Sequence, residues 1–404
     1  MKTNNIVEDK RGPTHVRRLE KYLGHNNIKK ALERYDKAKK SSKPLYRDYY
    51  LRLRHPWWEG FMQFYKLEAS GKAIYKNLTP EIMELAGDSL KVCELTNSMP
   101  DDLKNRYRQN LLDEENANNY LFEILIAWGY KIRNYNISWN NDDSVAGPEY
   151  SIVIGNYELE VECKKLSVDT FRKIKRPDFY HFVDDLVPKI SDAGLKGNIE
   201  IEFHDKLPSN MQTQEEIITE ILDEVDGKPI NRHVHLSCAD VDLSLKEKSN
   251  DLVDIKQMYK QLLVRKPVNA HCVIYLPPGS SSEINPIEIV CKSQRDEDII
   301  GGMRGIISKA SKRQLSKKNP GIVACFIPEI ESFEGLQNEG ALANMSYGLF
   351  DESRAHVAAI LYCSDSRLLP EFYGYRSYHP ALVFKNPYCR YEEVRDFKFL
   401  STEF

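Results

Sequence analysis

The sequence predicts an α/β protein, and three observations carry the prediction. Residues 1–105 read as helical, with apolar side chains recurring at i, i+3, i+4 and i+7. Pro148 to Ser167 (PEYSIVIGNYELEVECKKLS) alternates apolar and polar residues on both sides of Gly155-Asn156, the pattern of a hairpin closed by a two-residue primed turn. Beyond it, helical patterns alternate with short apolar runs as far as Phe384.

The amino-terminal helices come first. Leu19, Tyr22 and Leu23 open an apolar stripe that Ile28, Ala31, Leu32 and Tyr35 continue, and Ser41-Ser42-Lys43-Pro44 interrupts it. A second helical region, rich in aromatics, runs from Tyr46 to Tyr65; Trp57 and Trp58 lie beside its stripe and read as core rather than as stacking platforms for bases. Thr79-Pro80-Glu81 has the form of a helix start, with Thr as cap and Pro in the first turn, and Ser98-Met99-Pro100-Asp101 is similar. Residues 1–56 carry 16 Lys and Arg against six Asp and Glu, a local +10 that leaves −13 for the rest of a chain whose total is −3. Such a segment suits either contact with phosphate backbones or a solvated helical arm, and composition leaves both open.

With 404 residues and 41% hydrophobic content, the chain can hold two or three domains or one elaborated core. No apolar run approaches the ~18 residues of a membrane span, and the first residues lack the apolar core of a secretory signal. Eight cysteines stand singly with no C-x-x-C pair, as expected of buried thiols in a reducing cytoplasm. G-x-x-x-x-G-K-[ST], G-x-G-x-x-G and H-E-x-x-H are all missing, which removes the motif support for energy coupling, dinucleotide chemistry and zinc hydrolysis.

A helix is expected over Leu111–Trp128, burying Leu121, Ile124, Leu125 and Trp128 and ending at Gly129. A strand over 130–138 and a polar loop from Trp139 to Gly147 lead into the hairpin. If Gly155 and Asn156 form the turn, Ile154 pairs with Tyr157, Ile152 with Leu159 and Tyr150 with Val161, making one face apolar. The other face sets Val153 against Glu158, Ser151 against Glu160, and Glu149 against Glu162, with Lys164 two residues further along. Two carboxylates paired across strands repel. They are tolerated if they splay into water, if one is protonated, or if a cation lies between them; a hard ion such as Mg²⁺ suits one or two carboxylates together with substrate phosphates.

Pro148-Glu149, twelve intervening residues and Glu162-Cys163-Lys164 resemble the PD-(D/E)XK signature of the restriction-endonuclease-like nuclease superfamily, with Glu where that superfamily more often has Asp. The resemblance spans about Leu111 to Ile330 with a long insertion. It implies a restriction-endonuclease-like core, a mixed central sheet flanked by helices, carrying an added amino-terminal all-helical region. The expected domains are a basic helical region at 1–105 and a nuclease domain at 106–404 with an insertion at about 168–290.

By that resemblance Glu149 and Glu162 hold Mg²⁺ (or Mn²⁺ as a substitute) with the backbone carbonyl of Cys163. Lys164 orients or deprotonates the attacking water, and Glu123, from LFEILIAWGY, is a further metal or water ligand. Glu115 is a weaker candidate than Glu123, Asp142 or Asp143 could replace Glu149 under another register, and Glu160 reads as an exposed strand residue. The implied activity is metal-dependent hydrolysis of DNA by a cytoplasmic restriction or antiphage-type enzyme, with a homodimer or a partner protein of a defence system compatible with it. The alternative is a catalytically inactive nuclease-like subunit that binds nucleic acid within a larger complex.

The later chain is read as helix 170–193, strand 198–203, helix 214–225 and strands 234–245 and 272–276. His233 and His235 alternate on one strand and, without a third ligand at metal-site spacing, read as ordinary strand histidines. Gly301–Gly321 (GGMRGIISKASKRQLSKKNPG) has no acidic residue and buries Met303, Ile306, Ile307 and Ala310. Arg304, Lys309, Lys312, Arg313 and Gln314 on this segment are candidates for nucleic-acid contact, Lys309 and Gln314 being those the resemblance places near phosphate. Strand 322–327, helix 335–349, strand 356–363 and a last strand near Ala381–Phe384 should complete the sheet.

Overall fold

A computed structural model describes residues 11–140, 147–249, 253–255, 257–258, 261–262, 270–277, 285–328, 330–365, 367–371, 374–378 and 380–400. Seven helices come first: α1 (Gly12–Leu23), α2 (His25–Ser41), α3 (Pro44–Tyr49), α4 (Trp58–Ala69), α5 (Pro80–Thr96), α6 (Asp101–Asn110) and α7 (Ala117–Lys131). Then follow β1 (Ile137–Trp139), β2 (Tyr150–Ile154), β3 (Tyr157–Lys165), α8 (Arg176–Asp192), β4 (Leu195–Phe203) and α9 (Met211–Val225). Next are β5 (Ile230–His235), β6 (Ala239–Glu247), β7 (His271–Tyr275), β8 (Ile287–Ser293), α10 (Ile299–Arg313) and β9 (Gly321–Ile327). The described chain closes with α11 (Ile330–Asn338), α12 (Ala341–Tyr347), β10 (Val357–Ser364), β11 (Arg367–Glu371), β12 (Gly374–Tyr378), β13 (Ala381–Lys385) and α13 (Glu392–Arg395).

The architecture is mixed α/β, with two mixed sheets flanked by helices, in two compact units. One unit comprises the described residues of 1–40, 52–167 and 300–404; the other comprises those of 41–51 and 168–299. The amino-terminal helices therefore share a unit with the hairpin instead of standing alone, except for the stretch around α3. Among the described residues no helix is long and apolar enough to cross a membrane.

The first unit is built on a six-stranded sheet in the order β1-β2-β3-β9-β10-β13. β3, β9 and β10 run parallel at its centre, and the outer pairs are antiparallel. β9 (GIVACFI) and β10 (VAAILYCS) are buried at every residue, which is why they read as unbroken apolar runs rather than alternating ones. α7 packs against β1, β3 and β9. α1 buries Val16, Leu19 and Leu23 and packs on α5. Much of the basic charge of this region is answered inside the unit: Arg17 pairs with Glu20 and Glu68, Arg18 with Glu94, and Lys39 with Glu59. α1 is thus a packed element rather than a free arm.

Trp57 and Trp58 are core, as expected. Gly60 in α4 allows close approach to α5, since a Cβ there would lie 2.6 Å from the carbonyl oxygen of Glu81. Gly129 does not end its helix; α7 runs on to Lys131, and the missing Cβ makes room for the side chain of Leu400. The expected strand 130–138 shrinks to Ile137–Trp139, because Tyr130 is a buried helical residue and Asn134 turns the chain at φ +66°. The helix expected over 335–349 is two, divided at Gly340 with φ +70°.

The second unit holds the five-stranded sheet β5-β6-β4-β8-β7. The strand read over 234–245 is a hairpin of β5 and β6, turned by a bond from the Leu236 amide to the carbonyl of Ala239 at 2.9 Å. Ile199, Ile201 and Phe203 on β4 and Val241 and Leu243 on β6 face a core filled by Phe179, Phe182, Val183 and Leu186 of α8 and Ile217, Ile218 and Ile221 of α9. The intervening residues on those strands are polar. α3 packs on α8, where the carboxylate of Asp184 accepts from the amides of Leu45 (2.8 Å) and Tyr46 (2.7 Å). The helix expected over 170–193 begins only at Arg176, after a 3₁₀ turn at Val168–Phe171.

Candidate active site

The hairpin forms in the register its turn predicts: Ile154 opposes Tyr157, Ile152 opposes Leu159 and Tyr150 opposes Val161. Gly155 has φ +56° while Asn156 stays at negative φ, so only the first central residue of the turn needs glycine. Asn156 is held from outside the hairpin, its amide donating to the carboxylate of Glu393 at 3.3 Å. Tyr150, Ile152, Leu159 and Val161 are buried on one face and Val153 is exposed on the other.

The pairing of Glu149 with Glu162 differs from expectation. Glu149 lies in a bend just before β2, and its amide donates to the carbonyl of Val161 at 3.0 Å, although Val161 already opposes Tyr150. Two residues thus face one, the signature of a bulge. Glu149 is displaced by one position from direct opposition to Glu162. Asn140 braces the bend, its amide donating to the Glu149 carbonyl at 3.0 Å and its side-chain NH₂ to that of Pro148 at 3.1 Å.

Glu162 is fully buried on β3, where it neighbours Val323 of β9. Lys164, two residues on and therefore on the same face, is ion-paired to its carboxylate. Apart from that ammonium, the carboxylate of Glu162 has no partner among the described residues. Glu123 on α7 is also buried, so it is not an exposed helix residue; it accepts a hydrogen bond from the hydroxyl of Tyr107 on α6. Cys163 alternates to the other side of β3 and is buried, and its thiol is pushed well above its ordinary range by burial and by the three glutamates.

Electrostatics show that these groups form one cluster. Burial raises Glu162 to about 8, with Glu149 adding to the rise and Lys164 opposing it. Burial and then Glu149 lift Glu123 well above the carboxylate range. Glu149 is raised by burial against the pull of Lys164 and Arg106. Burial disfavours the charge on Lys164, yet Glu162 beside it outweighs that and holds the ammonium above its usual value. Three carboxyl groups share two cations in a site poor in solvent, an arrangement that favours either protonation or a further positive charge.

Tyr107 and Arg106 are members of this cluster that sequence reading did not single out. Both come from α6, whose sequence DDLKNRYRQN carries no motif, and only tertiary packing brings them to the hairpin. Glu115 is exposed in the turn before α7 and takes no part. Asp142 and Asp143 lie outside the described residues. Glu160, expected to be exposed, is buried: its carboxylate accepts from the Ser316 amide at 2.8 Å, the Ser316 hydroxyl and the Asn319 side chain at 3.4 Å. It anchors the 316–319 turn rather than the cluster.

The basic helix forms over Ile299–Arg313, with Gln314 just beyond its end. Met303, Ile307 and Ala310 are buried, while Arg304, Lys309, Lys312 and Arg313 are exposed. Arg304 donates to the carbonyl of Gly348 at 2.6 Å. The cations that act most strongly on the carboxylates are Lys164 and Arg106, not the charges of this helix. Comparison with protein-family models, with curated proteins and with solved structures finds no match to this chain.

Proposed function

We propose that this protein is a metal-dependent nuclease that hydrolyses phosphodiester bonds of DNA at a PD-(D/E)XK-type site on the β2–β3 hairpin. The observation that carries this reading is the convergence of Glu123, Glu149, Glu162 and Lys164, drawn from α7, the bend before β2 and β3, into one cluster of buried and half-buried titratable groups that act on one another. The donor set fits Mg²⁺: it is made of carboxylate oxygens, and among the described residues the fully buried carboxylate of Glu162 has only one ammonium to satisfy it. Glu149 and Glu162 would hold the ion with Glu123 beside them. Bound there, Mg²⁺ supplies Lewis acidity toward a phosphoryl oxygen and a bound water.

The chain's own residues do the rest. Lys164 orients the attacking water and neutralises charge on the pentacoordinate phosphorus. Tyr107 fixes the carboxyl of Glu123 through its hydroxyl, and Arg106 adds a second positive charge at the same cluster. Water oxygen bonds to phosphorus and gives up a proton to solvent, the bond to the 3′ oxygen breaks, and that oxygen leaves as a hydroxyl after taking a proton from solvent. A 5′-phosphate remains. Restriction or antiphage defence is the setting such an activity suits, by analogy with other nucleases of the type. The test is cleavage of supercoiled plasmid with Mg²⁺ or Mn²⁺ by wild type and Lys164→Ala. Cutting should vanish in the variant while DNA binding persists; unchanged cutting overturns the assignment.

A further inference from the structure

One end of the solvent face of the second sheet collects four carboxylates. Glu200 on β4 is directly opposite Asp242 on β6, and Glu202 is opposite Asp240. Like charges placed so across strands destabilise a sheet. Lys292, 3.3 Å from Glu202, answers one of the four. On the far side of β6, β5 brings two imidazoles to the same pair of aspartates, His233 opposite Asp242 and His235 opposite Asp240. His233 Nδ1 lies 2.7 Å from Asp242 Oδ1, and His235 Nδ1 lies 2.7 Å from Asp240 Oδ1. His204, just past β4, places Nε2 3.6 Å from Asp240 Oδ1. Gln294 donates to the other oxygen of Asp240 at 2.8 Å, fixing the carboxylate's orientation.

We propose that His233, His235 and Asp240, with His204 as a fourth ligand, form a binding site for a divalent transition ion of the zinc type on the open face of this sheet. One ligand atom from each of the first three already lies within 4.8 Å of the others. Ligands about 2.0–2.1 Å from a tetrahedral ion stand roughly 3.3 Å apart, close to the His204–Asp240 and His235–Asp240 separations. The third ligand whose lack made the two histidines read as ordinary strand residues is Asp240, five residues after His235 and seven after His233, brought back by the tight β5–β6 turn. In the structure His235 Nδ1 and Asp240 Oδ1 are hydrogen-bonded; an ion held by both takes the place of that hydrogen bond, with the ring proton on Nε2. The mixed imidazole–carboxylate set suits Zn²⁺, Co²⁺ or Ni²⁺ better than Mg²⁺, so this site is chemically distinct from the all-carboxylate cluster of the first unit. It also relieves the crowding of Glu200, Glu202, Asp240 and Asp242.

The test is titration of the full chain with Co²⁺, followed by its visible absorption and by displacement with Zn²⁺. Wild type, Glu162→Gln, Asp240→Asn and His233→Ala/His235→Ala are compared. One equivalent with an imidazole-ligated Co²⁺ spectrum is expected in wild type and in Glu162→Gln. Asp240→Asn should bind on the order of 10–100-fold more weakly, and the double histidine variant should lose the spectrum. Both histidines are exposed, with side chains 45% and 77% accessible, so their replacement leaves the core intact and an unchanged metal-free unfolding midpoint verifies this. No Co²⁺ spectrum in wild type, or a spectrum unchanged in the double variant, overturns the proposal. Because Glu162→Gln removes the carboxylate cluster's central ligand, failure of the nuclease reading leaves this result untouched.

Discussion

The amide of Glu149 donates to the carbonyl of Val161 at 3.0 Å, a residue that the neighbouring ladder already gives to Tyr150. That offset takes Glu149 out of direct opposition to Glu162 but keeps it among the charges that act on Glu162 and Glu123. Glu149→Gln should therefore raise the Kd for Mn²⁺, measured by calorimetry, by on the order of 10–100-fold.

Among the described residues Lys164 is the one ionic partner of Glu162, a carboxylate with no exposed surface. Removing it in Lys164→Ala leaves Glu162 without its cation and should cost roughly 3 kcal/mol of stability at pH 9, above the value of about 8 to which the carboxyl is raised, and less near neutral pH, where it takes up a proton instead, read from urea unfolding. Adding Glu162→Gln, which removes the buried charge as well, should recover most of that loss. Cleavage should stay absent in both variants, separating the structural part of the pair from its chemistry.

Tyr107 donates its hydroxyl proton to the buried Glu123. Tyr107→Phe strips a hydrogen bond from a carboxyl group that burial and Glu149 already strain, so a stability loss of about 1–3 kcal/mol is expected. Metal affinity should fall with it, because Glu123 loses the contact that orients it.

The hairpin was legible because its information is local: a glycine turn sets the register, and strict alternation sets the faces. The bulge at Glu149 was not, since nothing in PEYSIVI distinguishes a ladder that ends at Tyr150 from one that runs a residue further. Glu123 could be placed on a helix from its neighbours, but its burial depends on Tyr107, sixteen residues away on another helix. Glu160 misled for the same reason: its partners at 316–319 lie more than 150 residues downstream. YKIRNYNIS imitates a strand by alternation, yet Tyr130 belongs to the buried stripe of α7, and helical packing took the first two residues. The entry of 41–51 into the second unit rests on Asp184 capping amides of α3, a long-range contact with no sequence mark.

His55 offers a second pH handle. Its ring is buried and stacked on Trp58 with centroids 3.6 Å apart. Its Nδ1 accepts from the Trp57 amide at 3.2 Å, so Nε2 carries the proton and donates to the carbonyl of Leu111 at 3.0 Å. Burial lowers its pKa from 6.5 to about 3. The folded state holds the neutral ring, so the stability it confers is complete above pH 6.5 and is lost as pH falls toward 3, by about 1.4 kcal/mol per unit at most. In urea unfolding between pH 7 and 4, His55→Gln should start less stable than wild type and show a flatter decline.

The central claim is that the hairpin carboxylates make a metal-dependent phosphodiesterase. Its most direct test is nicking and linearisation of supercoiled plasmid with Mg²⁺ or Mn²⁺, wild type beside Glu162→Ala, with EDTA as control. Metal-dependent cutting by wild type that is abolished by EDTA and reduced at least about 100-fold in Glu162→Ala is the predicted result. Cutting that survives in Glu162→Ala, or a wild type that neither cuts with either ion nor binds one at the cluster, would contradict it.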